Sequence, residues 1–332
     1  MNLESRFIPT NGVRYFIKEA GNKNAPLILF LHGFPDSWYS WRHQLKAMAA
    51  AGYHAVAPDM LGYGETDAPE EISRYSQDYM AKDIVGLIEA LGHKQAILVG
   101  HDLGASLTWQ VSLLYPEKVK AVIALSIPYG GRALKRPSDH MKKIFVGRLF
   151  YIDYFQKVGV AEKEFDADKR TFLLKFYAAY DAKGGVHHAN NLAPEWTEDI
   201  KGFLDTLEMP TALPEWLSES AFNYYVSRYQ KHGLRPPINW YRCLDEYWER
   251  TEHLAHQKVT PPVFFITGKN DPVNVMNRKA IQRMPQFLED FRGMEMIEDC
   301  GHWIACEQGE RLSGILLSFL EEELNMVKRQ KF

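Results

Sequence analysis

Asp102 stands in Gly100-His101-Asp102-Leu103-Gly104, and its neighbours give that carboxylate chemical interest. Before it, Ala96-Ile97-Leu98-Val99 is wholly apolar and rich in branched types, which reads as a buried strand of a parallel sheet. After it, residues 105–114 have helical character. Strand, Gly-x-Asp-x-Gly, helix is the context of a nucleophile elbow, where small residues permit a turn tight enough to hold one side chain above the sheet edge. In this order the acid and the base follow the nucleophile along the chain. His302 is the one histidine after the late strand that ends at Gly268, and it sits in Asp299-Cys300-Gly301-His302-Trp303. Asp271 lies in Thr267-Gly268-Lys269-Asn270-Asp271-Pro272, just past that strand, whereas the stretch Ser126 to Tyr129 after the earlier strand has no carboxylate. The loop His32-Gly33-Phe34-Pro35 closes another apolar strand, Leu27–Leu31. Such a loop aims a backbone N–H back at the nucleophile, so Phe34 and Leu103 are the expected oxyanion-hole donors.

An aspartate at the apex selects the reaction. Serine attacking a saturated carbon would leave an ether that the site could not reopen. A carboxylate attacking the same carbon leaves an ester, whose carbonyl water can then hydrolyse. The expected path is displacement at carbon by Asp102, then hydrolysis by a water that His302, oriented by Asp271, activates. A halide and the oxygen of a strained epoxide are both suitable leaving groups.

The elements needed to hold these residues follow from periodicity. A strand around a turn at Thr10–Ile17 and strands at Leu27–Leu31, Tyr53–Pro58, Ala96–Val99 and Val119–Leu125 alternate with helices at Trp41–Ala50, Tyr79–Leu91 and Ala105–Leu114. That alternation predicts an α/β fold with a mostly parallel, doubly wound sheet. From Arg132 to Leu254 the strands stop. Helical segments are predicted at Asp139–Phe150, Glu162–Tyr180, Thr197–Glu208, Leu213–His232 and Asn239–Leu254, in a stretch crowded with aromatic residues. Sheet signals return at Pro262–Gly268 and Gly293–Ile297, and an amphipathic helix from Glu310 to about Met326 closes the chain. The expected organisation is a core of residues 1–132 and 255–332, with a helical cap of residues 133–254.

Composition narrows the partners. The 332 residues are 46% hydrophobic and 24% charged with a net charge of −3, enough for a large core and an inserted domain. The one compact basic block is the tail Lys328-Arg329-Gln330-Lys331, so nucleic acid is not expected as a partner. Met1–Arg14 has no apolar signal region and no segment approaches 18 apolar residues, so no membrane partner is expected either. Three cysteines, Cys243, Cys300 and Cys306, lack metal spacing and fit free thiols in a cytoplasmic setting. The pair His187-His188 has no partner ligands at helical spacing and reads as a loop or surface feature, so neither metal nor cofactor is expected.

These motifs resemble the epoxide hydrolases of the α/β-hydrolase family nearly end to end. The likeness rests on His32-Gly33-Phe34-Pro35, Trp41-Arg42-His43-Gln44, Asp59-Met60-Leu61-Gly62-Tyr63-Gly64, Gly100-His101-Asp102 and Glu298-Asp299-Cys300-Gly301-His302-Trp303. Two further segments, Tyr151-Ile152-Asp153-Tyr154-Phe155-Gln156 and Pro237-Ile238-Asn239-Trp240-Tyr241-Arg242, are similar to those that supply the family's ring-opening tyrosines. The resemblance implies that Tyr151 and Tyr241 donate hydrogen bonds to the epoxide oxygen, with Tyr151 preferred over Tyr154. It also implies a vicinal diol product, a small apolar epoxide and water as the reactants, and Trp240, Phe155, Trp303 and Pro35 as substrate lining. Leu103 departs from many relatives, which carry tryptophan there. In haloalkane dehalogenases that indole holds the halide, and fluoroacetate dehalogenases carry arginines just after the nucleophile, where this chain has Leu103, Ala105, Ser106 and Leu107. A haloalkane or haloacid dehalogenase is therefore the alternative within enzymes, and a non-catalytic ligand-binding protein is the alternative outside them.

Overall fold

The computed structural model describes residues 3–189 and 191–329, so Gln330 and Lys331 of the basic tail lie outside the described residues. Eight strands form one sheet: β1 (Glu4–Thr10), β2 (Val13–Ala20), β3 (Leu27–Leu31), β4 (His54–Pro58), β5 (Ala96–His101), β6 (Val119–Leu125), β7 (Val263–Gly268) and β8 (Phe291–Ile297). Their order is β1-β2-β4-β3-β5-β6-β7-β8, antiparallel at β1/β2 and β2/β4 and parallel from β4 to β8. The strand around a turn expected at Thr10–Ile17 is the turn of the β1/β2 hairpin and the start of β2, with Asn11 and Gly12 both at positive φ where the chain turns back.

Alternate residues of the central strands feed two separate apolar layers. Leu29, Leu98, Val122 and Phe265 face one way, where helices α2 (Gln77–Ala90) and α3 (Leu103–Leu114) cover them. Ile28, Phe30, Val99, Ile123 and Ile266 face the other, against α1 (Arg42–Ala50) and the last helix, Gly309–Arg329. Burial on both faces explains why these strands read as continuous apolar runs.

Between β6 and β7 the described residues contain no strand of the sheet. They form α4 (Pro137–Ile144), α5 (Tyr151–Gln156), α6 (Val160–Ala167), α7 (Lys169–Tyr180), α8 (Gly184–His188), α9 (Glu219–Arg228), α10 (Arg235–Arg242) and α11 (Leu244–Arg250). The helices are shorter than predicted, for local reasons. The expected helix Glu162–Tyr180 breaks at Asp168, whose extended backbone lets its carboxylate accept from Thr171 N and cap α7. Asp139–Phe150 ends early, with Gly147 at φ 72°. Leu213–His232 is helical only after the Ser218 cap, and Asn239–Leu254 divides at Cys243. Thr197–Glu208 holds only the 3₁₀ turn Phe203–Thr206. After β7 comes α12 (Val273–Arg283), which the sequence pattern did not reveal, then α13 (Ile304–Glu307) and α14 (Gly309–Arg329). No helix among the described residues is long and apolar enough to cross a membrane.

Candidate active site

The carboxyl ends of β3, β5, β7 and β8, with β6 between the second and third, bring Phe34, Asp102, Asp271 and His302 together. β5 ends in the elbow, where Asp102 sits at φ 54° and ψ −122° before α3 begins. A non-glycine residue at positive φ is strained, and the surrounding packing holds it there. Gly104 permits that packing, because a Cβ at this position would overlap the Leu31 carbonyl of β3. Asp102 is thus fixed at the amino end of α3, where the helix dipole favours a negative charge. Its Oδ1 accepts the Phe34 N–H at 2.9 Å, and the Leu103 N–H also bonds the carboxylate. Burial raises the Asp102 pKa above the ordinary carboxylate value, against the pull of His302 and the two N–H donors.

Asp271 follows β7 and His302 follows β8. His302 Nδ1 lies 2.9 Å from Asp271 Oδ2, and His302 Nε2 lies 3.7 Å from Asp102 Oδ2. Asp271 is itself fixed, since its Oδ1 accepts from Val273 N at 2.9 Å. Burial disfavours the imidazolium of His302, but the Asp271 carboxylate, followed by Asp102, outweighs it and raises the pKa to about 9. All three side chains are buried.

The two tyrosines lie near enough to Asp102 for its charge to act on both phenols. Tyr151 starts α5 and Tyr241 lies near the end of α10, with ring centroids 5.9 Å apart. Burial pushes both phenols well above their ordinary pKa; the Tyr180 hydroxyl and then Asp102 add to this at Tyr151, and Asp102 adds to it at Tyr241. They are therefore protonated donors at any physiological pH. Neither hydroxyl has a hydrogen-bond partner among the described residues. Tyr154 differs, because its hydroxyl donates to Glu164 Oε2 at 2.8 Å.

The four expected lining residues separate into two groups. Phe155 packs edge-on against Phe34 and Tyr241, and Pro35 follows Phe34 in the oxyanion loop. Trp303 packs against His302 at 5.0 Å, with its indole donating to Tyr177 O. Trp240 instead donates to Leu61 O at 3.0 Å and meets Tyr63, which ties α10 to the core. Sequence reasoning assigned no role to His101, whose ring lies 4.6 Å from that of His302 and whose Nε2 is buried without a partner. It also missed Tyr180 and Phe176, which stack on each other, and Asp36, a buried carboxyl that burial raises to about 7. His101 and Asp36 adjoin recognised motifs, which could have drawn attention to them, whereas Phe176 and Tyr180 lie beside none. Cys300 is fully buried and burial pushes its thiol up, which disfavours thiolate chemistry beside His302. His187 and His188 lie in α8 rather than in a loop; His187 is exposed, as a surface feature would be, and the His188 ring is 4.8 Å from Tyr180.

A carboxylate above N–H donors, facing two unengaged phenols, with an acid-paired imidazole alongside, can alkylate itself on a strained ether and then be released by water. The comparisons with known proteins agree. A family model described as the alpha/beta hydrolase fold matches residues 26–308. Epoxide hydrolase A of Mycobacterium tuberculosis is 36% identical over 315 residues, covering 95% of this chain and 96% of the relative. Epoxide hydrolase 1 of Siraitia grosvenorii is 33% identical and covers 96% of this chain and 99% of the relative. Among solved structures, the crystal structure of epoxide hydrolase A from Mycobacterium thermoresistibile superposes with a TM-score of 0.90 at 36% identity, covering 96% of this chain and 98% of that one.

Proposed function

Since this chain belongs to the α/β-hydrolase-fold family and, within it, to the epoxide hydrolases, we propose that Asp102, His302, Asp271, Tyr151 and Tyr241 carry its reaction. The enzyme opens an epoxide and releases a vicinal diol. Asp102 attacks a ring carbon from one side while Tyr151 and Tyr241 hold the ring oxygen from the other. As the C–O bond breaks, one phenol gives its proton to the departing alkoxide. The observation that carries this assignment is the pair of unengaged phenols opposite a carboxylate that is paired with the imidazole.

Charge explains the order of events. Before attack, the ionised Asp102 helps to keep His302 protonated, so the imidazole cannot yet be a base. Ester formation removes that negative charge, the imidazolium becomes more acidic, and its proton is the one available to restore the phenol. Neutral His302, still oriented by Asp271, then takes a proton from water as the oxygen adds to the Asp102 ester carbonyl. The N–H groups of Phe34 and Leu103 hold the oxyanion, and collapse returns ionised Asp102, protonated His302 and the diol.

Residues 133–254 act as a cap over a core of residues 1–132 and 255–332. Phe155, Pro35 and Trp303 form part of an apolar wall suited to a small apolar epoxide, and Trp240 contributes by seating the segment that bears Tyr241. The three cysteines are free, which supports a reducing, cytoplasmic setting. The dehalogenase alternative gains no support, because Leu103 offers no side-chain donor for a halide and the phenols suit an oxygen leaving group.

The test is product analysis with small aryl and alkyl epoxides beside halide release from haloalkanes. Diol is expected from the wild type and none from Asp102→Asn. In His302→Gln an ester that forms and then persists is expected, visible as a mass increase of one epoxide per chain. Full steady-state turnover in either variant would refute the assigned roles.

A further inference from the structure

The stretch Tyr177–Ala182, at the carboxyl end of α7, makes hydrogen bonds to all three loops that carry the hydrolytic groups. To the oxyanion loop, Tyr177 Oη donates to Pro35 O at 3.0 Å. From the base loop, His302 N donates to Tyr180 O at 2.8 Å and Trp303 Nε1 donates to Tyr177 O at 3.0 Å. From the acid loop, Asn270 Nδ2 donates to Ala182 O at 2.9 Å. In addition, Ala182 N donates to Glu307 Oε2 at 2.8 Å, and the same carboxylate accepts the N–H groups of Gly301 and Trp303 on either side of His302.

Two features make this junction possible. The last carbonyls of a helix have no partner within it, so Tyr177 O and Tyr180 O are free to receive donors from the base loop. Gly301 then lets the two backbones meet, since a Cβ there would overlap the Asp181 carbonyl carbon and Ala182 N.

Resting on the two-step reading above, we propose that Tyr177–Ala182 positions the hydrolytic half of the site, so that loosening it slows ester hydrolysis and spares ester formation. Ester formation relies on Asp102, whose backbone is set by β5 and α3 and whose Oδ1 also accepts the Phe34 N–H, and on Tyr151 and Tyr241. Hydrolysis relies on the Phe34 N–H, Asp271 and His302, and each of these sits within two residues of a tie to this stretch. Tyr177 is a positioning residue, since its hydroxyl is committed to Pro35 O rather than to a reacting atom.

The experiment compares wild type, Tyr177→Phe, Asn270→Ala and Asp102→Asn by rapid quench and intact-protein mass. The ester adds one whole epoxide to the chain and loses no atoms, so its fraction is read directly. In Tyr177→Phe, loss of one buried hydrogen bond is expected to lower the hydrolysis rate about tenfold. The ester then accumulates, and kcat and KM fall together while kcat/KM stays within about twofold. Asn270→Ala is expected to show the same signature from the acid side. A merely structural role would lower kcat and kcat/KM alike at constant KM, with no gain in ester. That result in both variants overturns the proposal. A wild type that yields neither diol nor an Asp102-dependent mass increase instead overturns the two-step reading, and this inference with it.

Discussion

At the scale of single residues, the hydroxyl partners separate the candidate phenols. Tyr154 spends its hydroxyl on Glu164, whereas Tyr151 and Tyr241, whose rings lie 5.9 Å apart, have theirs unengaged. Tyr151→Phe or Tyr241→Phe should lower the rate of ester formation by about 10²-fold or more, as expected when a positioned general acid is removed. Tyr154→Phe should leave that rate within about twofold, and single-turnover mixing checks both. The raised pKa of Asp102 gives a second expectation with a definite sign: the group must be ionised to attack, so kcat/KM falls as pH is lowered, beginning above the ordinary carboxylate range. Asp102, Asp271 and His302 stood out in the sequence because each follows a strand end in a fixed chain order. His101, Asp36 and Glu307 were not, because what distinguishes them is burial beside residues far away in sequence, and no local pattern encodes that.

At the scale of elements, legibility follows burial. The predicted spans Leu27–Leu31 and Val119–Leu125 coincide with β3 and β6, since strands covered on both faces leave an apolar run, unbroken in β3 and interrupted only by Lys120 in β6. Helix α12 escaped notice because Val273 is its only buried residue, so it carries almost no apolar stripe. The helices between β6 and β7 were overextended because the features that end them, the Asp168 and Ser218 caps and Gly147 at positive φ, lie inside stretches with helical apolar spacing. Leu98, fully buried on β5 next to the elbow, provides a test of the central sheet. Leu98→Ala should destabilise the protein by about 2–5 kcal/mol through lost burial and a residual cavity, measured by urea unfolding. A loss below about 1 kcal/mol would mean that the core collapses around the site more easily than this packing implies.

At the scale of the molecule, buried ionisable groups set how stability depends on pH. Burial raises Asp36 and Glu307 to about 7 and Asp59 to about 6, so these contribute stability in acid that is lost as pH rises toward neutrality. Burial lowers His32 to about 3 and His188 to about 4, and their contribution runs the other way, lost as pH falls below the ordinary histidine value. The two sets oppose each other below pH 7. Above it His302 stands out: its folded pKa of about 9 exceeds the unfolded value, so its contribution is complete below about 6.5 and disappears as pH climbs through 9. The wild-type Tm should therefore decline from pH 7 to 9.5, and His302→Gln should flatten that decline; equal slopes would assign it to another group. The placement of the helical insertion also has a consequence for biogenesis. β6 and β7 are hydrogen-bonded neighbours, yet residues 126–262 separate them along the chain. Closing so long a loop adds little to the equilibrium cost, because that cost grows only with the logarithm of length, but such non-local pairing is slow. During synthesis the strand that leads into Asp102 emerges well before Asp271 and His302, and β6 lacks its β7 neighbour until residues 126–262 have been made.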